Sequence, residues 1–292
     1  MSLFSIKKMM NHASANVYAI PAFVCVNIEM IQAAIEAAEE ESSPVIIQAH
    51  PEIRCKMSLL AFAEVVKSYA SHSWVPIGLS LDHGESFEDV VDAVSAGFNG
   101  VMIDGADFSL QENIEITRKV VEMLSGKDII VEGAIGNMPH GRQQTEQDIA
   151  SVKDSLELVS KSGLGILAPA VGNVHGTAHG EDKATPHLNI ERISDLKEAC
   201  KIPLCLHGGS SIPEEQVKNA VKAGICKVII FTDVVKSFNK ALLDSFTTMG
   251  EGSNPLYPLK AAQEEARNTM MNKMKLFGSS SKALSILNQQ SV

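Results

Sequence analysis

The chain has little of what marks most specialised protein classes. Its 292 residues contain one tryptophan, three tyrosines and five cysteines. The cysteines (Cys25, Cys55, Cys200, Cys205 and Cys226) are odd in number and include no C-x-x-C pair. That pattern argues against a disulfide framework and fits a reduced, cytoplasmic protein. Basic residues are outnumbered, 25 Lys and Arg against 35 Asp and Glu, for a net charge of −10. A surface that coats nucleic acid needs the opposite balance. No run of about 18 apolar residues occurs, and "MSLFSIKKMMNHASANV" lacks the apolar centre of a signal peptide. Neither nucleic acid nor membrane is therefore an expected partner. Small anionic ligands stay open, because backbone N–H groups at a helix start can hold them without basic side chains.

What the sequence does have is alternation. Short, nearly continuous apolar runs fall at 17–23, 44–49, 76–81, 100–103, 128–132, 165–171, 202–207 and 227–231. Strands that read this way are buried on both faces, as in parallel sheets. Amphipathic stretches separate them. "NIEMIQAAIEAAEEE" carries an acidic outer face, and "SFEDVVDAVSAGF" and "PEEQVKNAVKAGI" each stop at Ala-Gly before the next strand. Eight β-then-α units at a steady interval, with no linker or composition break, predict one α/β domain over 1–292. Its expected architecture is a (β/α)8 TIM barrel rather than a doubly wound open sheet. An additional C-terminal helix is expected from Leu256 to about Leu276.

In such a barrel the chemistry sits at the C-terminal ends of the strands. Six consecutive strands deliver polar groups there: Asp82-His83, Asp104, Glu132, the segment "GNVHG" with His175, His207, and Thr232-Asp233. Any of these aspartates can be read as a helix N-cap, and any single histidine as an ordinary loop residue. Three histidines in the same slot, each followed directly by glycine, are poorly explained that way. Converging imidazoles with an open position make a zinc-type site whose ion acts as a Lewis acid. Alternation along the strand turns Asp82 away from His83, leaving it to face substrate as a proton donor or acceptor. Asp104 reads as a partner behind a ligand or as an alternative ligand. The small residues of "HGGSS", beside Thr232 and before a helix, suit an anion held by backbone amides.

These motifs resemble the class II, metal-dependent ketose-bisphosphate aldolases, the family of the fructose- and tagatose-bisphosphate enzymes. The likeness runs from "YAIPAF" through "LDHG", "MIDGADFSLQENIEITRKVVE", "GNVHG" and "LHGGSS" to "MKLFGSSSKA". It implies that His83, His175 and His207 bind zinc or another divalent ion, with Asp104 at an alternative metal position. It implies that Asp82 moves the proton at the hydroxyl whose deprotonation breaks the C–C bond. Gly176, Gly208, Gly209, Ser210 and Thr232 would hold a sugar phosphate, and the metal would stabilise a dihydroxyacetone phosphate enediolate. A homodimer or homotetramer, and a monovalent cation beside the phosphate, follow from the same likeness.

The sequence also departs from the family pattern. Ala134 stands where a second strand-five glutamate is usual, and Ile229 where an asparagine is usual. Strand one reads Phe23-Val24 instead of Phe-Asn, and His50 replaces a small hydroxyl residue. The loop "NMPHGRQQTEQD" is short and lacks an acidic cluster, leaving His140 and Glu146 as stand-ins for its general base. Strand six offers a second His-Gly at His179; His175 keeps the family's distance from the strand. A second reading rests on these departures: a paralogue that binds metal and a sugar phosphate with altered or no aldolase activity.

Overall fold

The computed structural model describes residues 3–138, 144–174, 186–210, 212–250 and 252–289. Eight parallel strands close into a barrel in chain order, with β8 paired back to β1. The first four are β1 (Ile20–Val24), β2 (Val45–Ala49), β3 (Ile77–Gly84) and β4 (Gly100–Ile103). The second four are β5 (Ile130–Ile135), β6 (Ile166–Pro169), β7 (Leu204–Leu206) and β8 (Ile225–Ile230). Each coincides with an expected apolar run. At the rim, β3 and β5 each run three residues further than expected, β3 through His83 to Gly84 and β5 to Ile135.

Helices α1 (Ile6–Ala15), α2 (Ile28–Glu40), α3 (Leu59–His72) and α4 (Phe87–Ala96) occupy the first half of the chain. They are followed by α5 (Leu110–Met123), α6 (Val152–Ser162), α7 (Ile190–Cys200) and α8 (Glu214–Ala223). The crossover helices α2 to α7 start on side-chain caps. Ser86 and Ser109 each form a reciprocal capping box, with Asp89 and Glu112, so two otherwise unpaired amide groups are satisfied at each helix start. Beyond β8 come α9 (Thr232–Met249), α10 (Leu256–Phe277) and α11 (Ala283–Asn288). The single extra helix expected at the C-terminus is thus followed by a second short one. Among the described residues, no helix is long and apolar enough to cross a membrane.

Strand alternation divides the core in two. Outward residues such as Ile47, Leu79, Leu81, Val131 and Val228 pack under the helices. Inward residues such as Ile46, Met102, Ala134, Ala168 and Cys205 form a separate cluster inside the barrel. Helix α1 closes the floor of that inner cluster. Its Ile6, Met9, Met10 and Ala13 recur at helical spacing and are all buried. The strands admit it because β3 and β4 carry glycine at that level. A Cβ on Gly78 would lie 2.4 Å from Ile6, and one on Gly100 2.8 Å.

Candidate active site

Continuing the inward alternation upward predicts the composition of the rim. On β2 the residue after Ile46 in that series is Gln48, on β3 it is Asp82, on β5 Glu132, and just beyond β7 it is His207. All four are buried, in a layer of polar groups above the apolar interior. His83 does not belong to this series. It enters because its backbone is left-handed, with φ 47°, and because the β3–β4 register shifts between Leu81 and Gly84. Histidine tolerates that region better than most residues, and strain of this kind gathers at functional sites. The expectation that alternation parts Asp82 from His83 therefore fails here. A carboxylate oxygen of Asp82 and a ring nitrogen of each of His83 and His207 all lie within 4.8 Å of one another.

The two imidazoles meet edge to face, with His83 Nε2 and His207 Nδ1 3.0 Å apart. Behind them stand two carboxylates. Asp104 Oδ2 lies 2.5 Å from His83 Nδ1, and Glu132 Oε1 lies 2.8 Å from His207 Nε2. Asp104 thus sits behind His83, on the side away from His207. Glu132 is itself held from below, where Lys227 donates from Nζ to Oε2 at 2.6 Å. Gln48 donates to Asp82 Oδ1 at 3.3 Å. Asn173 donates to the His207 carbonyl at 3.1 Å and accepts from Val171 N–H, tying the β6 and β7 ends together.

These groups reset one another's acidity. Burial alone would push His83 down, but Asp82, Asp104 and Glu132 outweigh it and raise its pKa to about 9. Burial would push Asp104 up, yet the His83 ring and the Ala106 amide hold it below the usual carboxylate range. Glu132 is likewise held far below its ordinary value against burial, by Lys227 and His207. Lys227 is held above its own, against burial, chiefly by Glu132.

A stability prediction follows for the protein measured in the presence of a chelator. An unfolded histidine titrates near about 6.5, so the stabilisation at His83 is complete below that pH. It is lost as pH rises through the folded value of about 9. The loss amounts to roughly 3 kcal/mol across that window. Thermal unfolding from pH 6 to pH 9.5 should show a falling midpoint; a rising one would contradict the assignment.

The other expected residues divide. Gly208 has φ 62°, and a Cβ there would lie 2.1 Å from the Val174 carbonyl, so only glycine fits. The Gly209 N–H is taken by the Ile229 carbonyl at 3.1 Å. Ser210 Oγ accepts from Asp233 N–H at 3.2 Å, at the first turn of α9, where Thr232 also lies. Neither α8 nor α9 is capped by the side chain of its own N-cap residue, Pro213 or Phe231. His50 directly follows β2, with its ring centroid 5.9 Å from that of His83. Val24, Ala134 and Ile229 join the inner apolar cluster. Glu146 is exposed. His175, Gly176, His179 and His140 lie outside the described residues.

Four contributors escaped the sequence reading: Gln48, Lys227, Asn173, and Glu132 as a histidine partner. A signal for two of them was present. A lysine inside "ICKVII" and a glutamate inside "IIVEGAI" are opposite charges in strands buried on both faces, and buried charges are tolerated when paired.

Fold and rim together define an α/β-barrel enzyme with its chemistry at the C-terminal ends of the strands. The family model for class II fructose-bisphosphate aldolase matches residues 4–282, and the chain belongs to that family. It is accordingly an aldolase, a lyase that cleaves and forms carbon–carbon bonds. Among solved structures, it is similar to the YdjI aldolase from Escherichia coli K12. The two share 31% identity over 96% of this chain and 99% of that one, with a TM-score of 0.86. The fructose-bisphosphate aldolase (Fba) of Campylobacter jejuni shares the fold at 21% identity, covering 96% of this chain and 97% of that one, with a TM-score of 0.83.

Proposed function

We propose that the protein carries out metal-dependent aldol cleavage and condensation of a phosphorylated ketose. One observation carries this reading: His83 Nε2 and His207 Nδ1 face each other at 3.0 Å while the other nitrogen of each ring meets a carboxylate. With N–H groups directed at both carboxylates, two lone pairs confront one another, an arrangement that needs a proton or a cation between them. The donor set of two imidazoles suits zinc, and His175 is proposed as the third ligand. A divalent ion held there supplies Lewis acidity toward the substrate carbonyl.

The remaining chemistry belongs to this chain's own side chains. Asp82, oriented by Gln48, takes the proton from the substrate hydroxyl during cleavage and returns it during condensation. Gln48 Oε1 is buried with no hydrogen-bond partner among the described residues, and a hydroxyl of a bound sugar would satisfy it. Gly208, Ser210 and Thr232, beside the starts of α8 and α9, receive the phosphate, together with Gly176. A Schiff-base route is disfavoured. Lys227, the one lysine in the buried interior among the described residues, is 1% exposed and pinned as an ammonium by Glu132.

Metal analysis of purified protein should find close to one zinc or similar divalent ion per chain. Retro-aldol assays across phosphorylated ketoses and acyclic sugar acids should find a substrate whose cleavage stops on chelation and survives borohydride. Cleavage that persists without metal, or is blocked by borohydride, would reject the proposal.

A further inference from the structure

The inner polar layer contains one charged pair that the proposed reaction does not use. Lys227 and Glu132 lie inside the barrel with side chains 1% and 2% exposed, too deep to touch a substrate at the rim. An ion pair buried this way usually adds little stability over an apolar pair of the same volume. Its presence asks for another role, and its geometry names one. Glu132 divides its two oxygens: Oε2 accepts from Lys227 Nζ at 2.6 Å, and Oε1 lies 2.8 Å from His207 Nε2. The ammonium thus fixes the rotation of the carboxylate. The carboxylate in turn fixes which edge of the His207 ring points down and which points to His83.

We infer that Lys227 and Glu132 are positioning residues that set the His207 ring so that Nδ1 faces the metal position. Neither binds the ion. This rests on the cation site proposed above. A second cluster, Glu132 with Cys205 and His207, also has ligand atoms within 4.8 Å of one another. It is no competing metal position, because the Lys227 ammonium already occupies the cation's place at Glu132. Burial also pushes the Cys205 thiol well above its ordinary range, so it offers no thiolate.

The test uses the full-length protein. Lys227→Met keeps the length of the side chain and removes its charge. Lys227→Met with Glu132→Gln leaves a neutral pair of nearly the same shape, should the single variant fold poorly. Zinc affinity is measured by competition with a chromophoric chelator, and the His207 Nε2 proton is followed by nitrogen-15 NMR in the metal-free protein. Loss of a carboxylate–histidine support is expected to weaken zinc about 10- to 100-fold. The hydrogen-bonded Nε2 proton should shift upfield or vanish into exchange. A purely space-filling pair would lower the melting temperature and leave both readouts unchanged. Wild-type zinc affinity and an unchanged Nε2 proton in a folded variant would overturn the inference. Should the wild type bind no zinc, the metal reading falls, and the NMR signal alone still decides whether Lys227 positions His207.

Discussion

Asp82→Asn is expected to lower kcat for cleavage by about 10²- to 10⁴-fold, the range for losing a positioned general acid or base. The substitution is nearly isosteric. An asparagine Oδ1 can still accept from Gln48, which bonds Asp82 at 3.3 Å, so the side chain should keep its place. What disappears is the ability to carry a proton. Zinc stoichiometry separates this role from ligation, because an oxygen of Asp82 lies within 4.8 Å of the His83 and His207 nitrogens. A proton carrier leaves metal content unchanged on substitution; a ligand does not. Full turnover with bound zinc in the variant would remove Asp82 from the mechanism.

The second large effect is on stability. Glu132→Leu leaves the Lys227 ammonium inside the barrel with its nearest counter-charge gone. Removing one partner of a buried ion pair costs about 3–5 kcal/mol, since the other charge is then uncompensated. For a protein of this size that corresponds to a fall in Tm on the order of 10 °C. Adding Lys227→Met should recover most of the loss, because two apolar side chains of similar volume are tolerated where an ion pair was. Thermal denaturation of the two variants beside the wild type checks both statements. A double variant no more stable than Glu132→Leu would show that the cost lies in packing instead of charge.

Much of the architecture was legible from periodicity alone. Eight apolar runs in sequence became eight strands in chain order, because strands covered on both faces leave little choice of side chain. The His-Gly signature at His83 and His207 marks two side chains that meet. Helix α1 was missed, since "IKKMMNHASA" precedes any strand and its apolar face has meaning only once a barrel floor exists to receive it. The approach of Asp82 to His83 was misread because alternation presumes ordinary strand backbone, and His83 is left-handed. Glu132 and Lys227 lie 95 residues apart, and each seen singly is only a polar interruption in a strand. Their pairing depends on barrel closure, which places β5 and β8 across the interior from one another.

That closure gives the polar layer a mechanical consequence. The ladder of backbone bonds running from β1 round to β8 fixes the circumference of the barrel and leaves the outline of its cross-section free to flatten. Lower down, close-packed apolar side chains hold the outline. Above them, hydrogen-bonded chords do so, from Asp104 on the β4 end at the rim through His83 and His207 down to Glu132 on β5 and Lys227 on β8. Beyond the first, from Asp104 to His83, these links cross between strands that are not neighbours. The separation of the two imidazoles is therefore tied to the roundness of the barrel mouth, and a change that makes the mouth oval will pull the pair apart without touching either histidine.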